Sequence, residues 1–198
     1  LLFALSPQVA AAVGEQFASG SVSKRYLAVV RGHPAESGSI DHPLSRQRDD
    51  YEFQGERSSQ AAQPALTHFR RLATTEIPVA IERYPHSRYA LLELTPVTGR
   101  KHQIRRHLKH IAHPIIGDAT HGKGPLNRWW AQRLGLQRLW LHAWQLEVPH
   151  PETGAALRID SGLRWPPVAE PLATPTLPPS AQDWQRLLCL PGWERRGG

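Results

Sequence analysis

Between Thr95 and Ile116 the chain carries no acidic residue, yet Arg100, Lys101, Arg105, Arg106 and Lys109 fall within ten positions of one another. Uncompensated cations resist burial, because desolvating each charge costs several kcal/mol. Ile104, Leu108 and Ile111 recur in the same stretch at the spacing of one helix face, and that face needs a core. The segment is therefore expected to be a helix lying on a packed layer, with its apolar stripe inward and its cations in solvent. It opens after the Thr98-Gly99 turn and ends at His113-Pro114, since proline cannot continue a helix. Cations at a helix start add to the unpaired amides and the dipole there, which makes an anion-binding end. A phosphate-rich partner accounts for this charge. The rival, a basic helix lying on a membrane, is weakened because the apolar face is needed for the core.

The layer beneath the helix reads as a sheet. From Lys24 to Arg31, Tyr26, Ala28 and Val30 alternate with Arg25, Leu27 and Val29. Leu66 to Ala73, Tyr89 to Leu94 and Leu139 to Val148 are further strands by alternation and β-branched or aromatic content. The Pro149 to Gly154 turn leads into Ala156 to Ile159, a hairpin. At the start, Leu1 to Leu5 reads as a buried strand end. Ser6 caps a helix with Pro7 at its first position, Val9, Val13 and Phe17 on one face, and Gly20 as its stop. His42 to Pro64, with Arg46, Arg48 and Arg57, is a long polar loop. Six prolines between Arg164 and Pro179 oppose regular structure. Ser180-Ala-Gln-Asp183 then resembles a capping box for a short helix carrying Trp184, Leu187 and Leu188. The expected fold class is α+β, a mixed and mainly antiparallel sheet with flanking helices. Residues 1–163 form one domain and 164–198 a Pro-rich tail with a short helix.

Composition narrows the partner. The net charge is +7 and the pI about 10.2, with arginine prominent among the cations. Arginine's planar fork suits phosphate and stacks on bases, so a nucleic acid leads. The single Cys189 excludes a disulfide framework and a cysteine zinc site, and it fits a reducing cytoplasm. No apolar run is long enough to span a membrane. His102, His107, His110, His113 and His121 match no zinc spacing, so no metal is expected. Tyr26 is either a core aromatic or a phenol that stacks on a base. The chain has no methionine and opens on apolar residues, which is expected of the C-terminal part of a longer protein.

Lys24-Arg-Tyr26, Thr98-Gly-Arg-Lys-His-Gln-Ile-Arg105 and His113-Pro-Ile-Ile-Gly-Asp118 together resemble the blocks of RNA pseudouridine synthases of the large-subunit-rRNA and tRNA group. Arg70 to Val79, Gly99 to His107 and Gly135 to Leu139 are similar to the branch that modifies uridine 65 of tRNA. The resemblance runs from Leu1 to about Gly162. It implies the pseudouridine-synthase fold, a tRNA partner, a monomer, and a cofactor-free isomerisation. In that reaction an aspartate attacks the nucleotide, the N1–C1′ bond breaks, the base turns, and C5 joins C1′. Carried onto this chain, Arg105 would orient the aspartate, and Tyr26 would stack on the uracil and take the C5 proton. Arg100, Lys101, His102, Arg106 and Lys109 would bind the RNA. The His-Arg-Leu-Asp-x-x-Thr-Ser-Gly block that holds the family's nucleophile does not occur in this sequence. The resemblance therefore also implies an inactive fragment. A non-catalytic RNA-binding protein with a synthase-like fold is the alternative, and a DNA-binding module using the basic helix is a more distant one.

Overall fold

A computed structural model of the chain describes residues 2–46, 61–81, 84–166 and 179–195. Its centre is strand β1 (Ser23–Arg31), paired on one side with β4 (Ser87–Pro96) and on the other with β5 (Leu141–Pro149). Outward from β4 come β3 (Leu66–Ile77) and β2 (Ser37–Asp41), and outward from β5 comes β6 (Ala156–Asp160). The short β7 (Glu194–Arg195) also pairs with β3. Every one of these pairings is antiparallel, the limiting case of the mainly antiparallel sheet expected. β2 fell outside the sequence reading, since Ser37-Gly-Ser-Ile-Asp41 offers one apolar side chain, Ile40, to mark it.

Alternation along the strands divides the core in two. Leu27, Val29, Tyr89 and Leu91 face a cluster with Trp130, Trp140 and Trp184. Ala28, Val30, Ala90, Leu92 and Leu94 face Ile104, Leu108 and Ile115. The first face is covered by α3 (Gly124–Leu134) and α4 (Pro179–Leu188), the second by α2 (Gln103–His110). Sequence reasoning passed over α3, although Pro125 near its start, Gly135 in the left-handed region beyond it, and buried Leu126 and Trp130 four apart are its signals. In α4, Ser180 lies inside the helix and its side chain is outside those described. Asp183 accepts from Arg138 at 2.9 Å.

The helix α1 (Pro7–Ser19) forms as its caps dictate: the Ser6 hydroxyl accepts from the Val9 amide, and Gly20 turns left-handed. The segment before it is a correction. Leu1 lies outside the described residues, and residues 2–4 make no strand; Phe3 is 76% and Leu5 fully exposed. An apolar run becomes a strand only where a neighbour's ladder pairs it, and none does so among the described residues. Most of the expected His42 to Pro64 loop, including Arg48 and Arg57, also lies outside them. Its two described ends meet in a bridge between Leu44 and Gln63.

Candidate nucleic-acid interface and active site

β4 delivers the chain to Pro96, and the turn that follows is organised by one buried side chain. Gln103 Oε1 accepts from the Thr98 hydroxyl at 2.7 Å and from the Arg100 amide at 3.0 Å. Its Nε2 donates to Leu66 O and Thr67 Oγ1, both at 3.0 Å, which ties the start of α2 to β3. All of the amide's hydrogen-bonding groups are thereby engaged in the interior, where an unmade bond is costly. The sequence reading gave Gln103 no role. Its signal was available: an amide at the first helical position, five residues after a threonine, close to a capping box in logic.

The helix begins later than the charge pattern suggested. Gln103 is its first residue and His102 its cap, so Arg100 and Lys101 stand in the turn before it. The reason is His102 itself, whose φ of 54° is left-handed and cannot belong to a right-handed helix. Arg100 and Lys101 are exposed, and the Arg100 Nε donates to Pro64 O at 3.2 Å. Arg106 donates to Ser45 O and Oγ at 2.9 and 3.1 Å, on the side of the long polar loop. Lys109 is exposed in the last turn, where a cation complements the helix dipole.

Arg105 points from α2 into the turn that carries Asp118. Its Nε and Nη2 donate to Oδ2 and Oδ1, each at 2.7 Å, in the two-pronged geometry that a guanidinium and a carboxylate favour. The Asp118 side chain is fully buried and that of Arg105 is 17% exposed. Asp118 Oδ1 also accepts from the Thr120 and His121 amides at 2.9 and 2.8 Å. Capping the turn thus accounts for two of the four bonds that Asp118 accepts; the other two fix Arg105. Burial would raise the Asp118 pKa, but the Arg105 and amide hydrogen bonds outweigh it and hold the carboxyl below its ordinary range. Asp118 in turn raises the pKa of Arg105.

The turn is held rigid from behind. Asn127 of α3 accepts from the Gly117 amide at 2.8 Å and donates to Asp118 O at 2.9 Å. Gly117 has φ +79°, and a Cβ there would lie 1.7 Å from Arg138 O, so only glycine fits. His102 and His121 flank the ion pair, edge to face with their rings 5.8 Å apart. Burial lowers the pKa of both, and the positive charge of Arg105 adds to the effect. His102 Nδ1 and His121 Nε2 are buried without a hydrogen-bond partner.

Tyr26 lies on the β1 face that meets α2, half-buried against the cluster of Ile104 and Leu108. Burial raises the pKa of its phenol. Two other histidines serve the framework. His107 is fully buried between Thr67 Oγ1 and His42 O, both at 3.0 Å, and His113 Nδ1 lies 2.7 Å from Arg31 O. Among the described residues no three histidine, cysteine or acidic side chains gather as a metal site, and no helix is long and apolar enough to cross a membrane.

The arrangement joins an aromatic phenol, a fixed arginine and an exposed cationic turn on one side of one sheet. Residues 1–110 match the family model described as RNA pseudouridylate synthase. The chain is 44% identical over 193 residues to tRNA pseudouridine synthase C of Yersinia pestis, covering 98% of this chain and 68% of that one. It is 48% identical over 165 residues to tRNA pseudouridine synthase C of Pectobacterium carotovorum subsp. carotovorum, covering 83% of this chain and 43% of the relative. Among solved structures it is similar to human RNA Pseudouridylate Synthase Domain Containing 4, with a TM-score of 0.60 and 26% identity over 97% of this chain and 70% of that one. Human RNA Pseudouridylate Synthase Domain Containing 1 gives a TM-score of 0.57 at 25% identity, covering 79% of this chain and 60% of that one.

Proposed function

This chain belongs to the RNA pseudouridylate synthase family, and we propose that it supplies the RNA-binding surface and the two catalytic helpers of an enzyme that isomerises uridine in tRNA to pseudouridine, at position 65. The observation that carries the reading is the buried two-pronged bond between Arg105 and Asp118 beside an exposed cationic turn. That bond uses Nε and Nη2 and leaves the Arg105 Nη1 edge for a second carboxylate. A guanidinium fixed in this way keeps an attacking carboxylate ionised and aimed. Asp118 itself is not the nucleophile, because both of its oxygens are committed and its side chain has no exposed surface. We assign the attack to none of this chain's acids.

Tyr26 offers its ring to the extruded uracil, and stacking there offsets part of the few kcal/mol lost on flipping the base. Its phenol, in half-buried surroundings, is the group placed to take the C5 proton. Arg100, Lys101, His102, Arg106 and Lys109 hold the backbone around that nucleotide. The work divides between charge outside and geometry inside. No cofactor enters this scheme.

The test is a chimaera in which this chain replaces the matching part of the Yersinia pestis relative. It should form pseudouridine on tRNA, and Arg105→Ala should lower kcat by about a hundred-fold, the scale on which misplacing a reacting group costs rate. A chimaera that binds tRNA and forms no pseudouridine would instead favour a non-catalytic RNA-binding role. Near-normal rates in Arg105→Ala would refute the role of that arginine.

A further inference from the structure

Two residues before Tyr26, on the same face of β1, stands Lys24. It is 9% exposed, yet among the described residues its side chain makes no hydrogen bond and meets no carboxylate. Its ammonium lies 5.9 Å from the centre of the Phe17 ring in α1. Desolvation alone lowers its pKa. A Cβ built on Gly99 would lie 4.0 Å from Lys24 Nζ, so the ammonium reaches the turn between β4 and α2. That turn carries Arg100 and Lys101 and ends at the amides of a helix start with no acid in its first turn.

A cation with a buried stem, a partly desolvated ammonium and no counterion among the described residues is costly, and a methionine would fit the same apolar stem without that cost. Two separate features, a desolvated ammonium and an acid-free cationic turn, therefore converge on one gap that lacks negative charge. We propose that Lys24 is a further RNA-binding residue, whose ammonium holds a phosphate of the nucleotide lying against Tyr26. Lys24 and Tyr26 are two residues apart on the strand, about 6.6 Å. A base set against the Tyr26 ring thus has its own backbone near the ammonium. The inference rests on the RNA reading above and adds a residue to it.

The experiment compares the wild-type 198-residue chain with Lys24→Met and Lys24→Arg, measuring tRNA affinity by fluorescence anisotropy from about 50 to 200 mM salt, and thermal unfolding by circular dichroism. Lys24→Met should weaken binding about ten-fold, the scale of one charge-assisted hydrogen bond. It should also reduce the slope of log affinity against log salt by about 0.7, one phosphate contact on a single strand. The same variant should melt at a higher temperature than wild type, because it removes a desolvated, unpaired charge. Lys24→Arg should restore affinity and slope. A Lys24→Met chain with the wild-type slope would overturn the proposal. So would a lower melting temperature, which would mean that a protein carboxylate partners the lysine. Failure of the wild-type chain to bind tRNA at low salt would overturn the RNA reading together with it, whereas equal binding by wild type and Lys24→Met sinks the lysine alone.

Discussion

Asp118→Asn removes one negative charge and almost no volume, from a position where the charge is fully buried. The asparagine oxygen can still accept from the Thr120 and His121 amides, which Oδ1 now does at 2.9 and 2.8 Å. On the other side, the new NH2 group faces the Arg105 Nε or Nη2 donor, and at least one of the 2.7 Å bonds is lost. Removing one partner of a buried ion pair costs about 3–5 kcal/mol, because the remaining charge stays desolvated. Arg105 keeps 17% exposure and the turn keeps its amide bonds, so the low end, about 3 kcal/mol, is expected. For a chain of this length each kcal/mol shifts Tm by about 2–4 °C, which gives a fall of roughly 6–12 °C by circular dichroism at neutral pH. The pH dependence has a definite sign. The folded carboxyl has a depressed pKa, so its contribution is complete above the unfolded value of about 3.9 and disappears as pH falls through the lower, folded one. The difference between wild type and Asp118→Asn should therefore stay constant from neutral pH to about pH 5 and close on further acidification. A shift below about 2 °C at neutral pH, or a gap that survives acidification, would refute the account of this pair.

Trp184→Ala in α4 should cost about 3–5 kcal/mol, the scale of deleting a buried tryptophan, since its ring meets Trp140 edge-on at 5.4 Å. Unchanged denaturant midpoints would show that α4 contributes nothing to the core. Gly117→Ala and Gly135→Ala are a matched pair, both at positive φ, with backbone 1.7 Å from the added Cβ at Gly117 and nothing within 4 Å at Gly135. The Gly135 variant should lose about 1 kcal/mol, whereas the Gly117 variant should accumulate little folded protein; equal stabilities would contradict the close packing of that turn.

The strands that flank β1 were legible because period-2 alternation survives where one sheet face is coated differently from the other. Tyr26, Ala28 and Val30 against Leu27 and Val29 mark the two faces by alternation alone. The caps of α1 were legible for a local reason: Ser6, Pro7 and Gly20 act within four residues of themselves. What stayed hidden depends on distant partners. Arg105 was read as pairing with an acid, but a separation of 13 residues across a turn gave no signal that Asp118 was near enough to take it. Asn127, which braces that turn from another helix, looked like any polar helix residue. The helix start was misplaced for a subtler reason. Charge density marks where cations are, but the left-handed φ of His102 decides where the helix begins. The strand expected over Leu1 to Leu5, where Phe3 and Leu5 are exposed, failed in the opposite sense, since hydrophobicity indicates a need for burial and not that a partner is present.

The two sheet faces carry different duties. All seven tryptophans lie in or against the cluster on the face away from α2. The α2 face has smaller aliphatic residues beneath a helix of low hydrophobic content, and it bears Lys24, Tyr26, Arg105 and His102. Large aromatic burial on one side supplies stability while the other holds features that work against it: an ammonium with no counterion among the described residues and a left-handed histidine. Substitutions should therefore separate by face. On the tryptophan side, loss of stability precedes loss of RNA binding. On the α2 side, Lys24→Met should raise stability while lowering affinity, the pattern of a surface shaped by its ligand more than by its own packing.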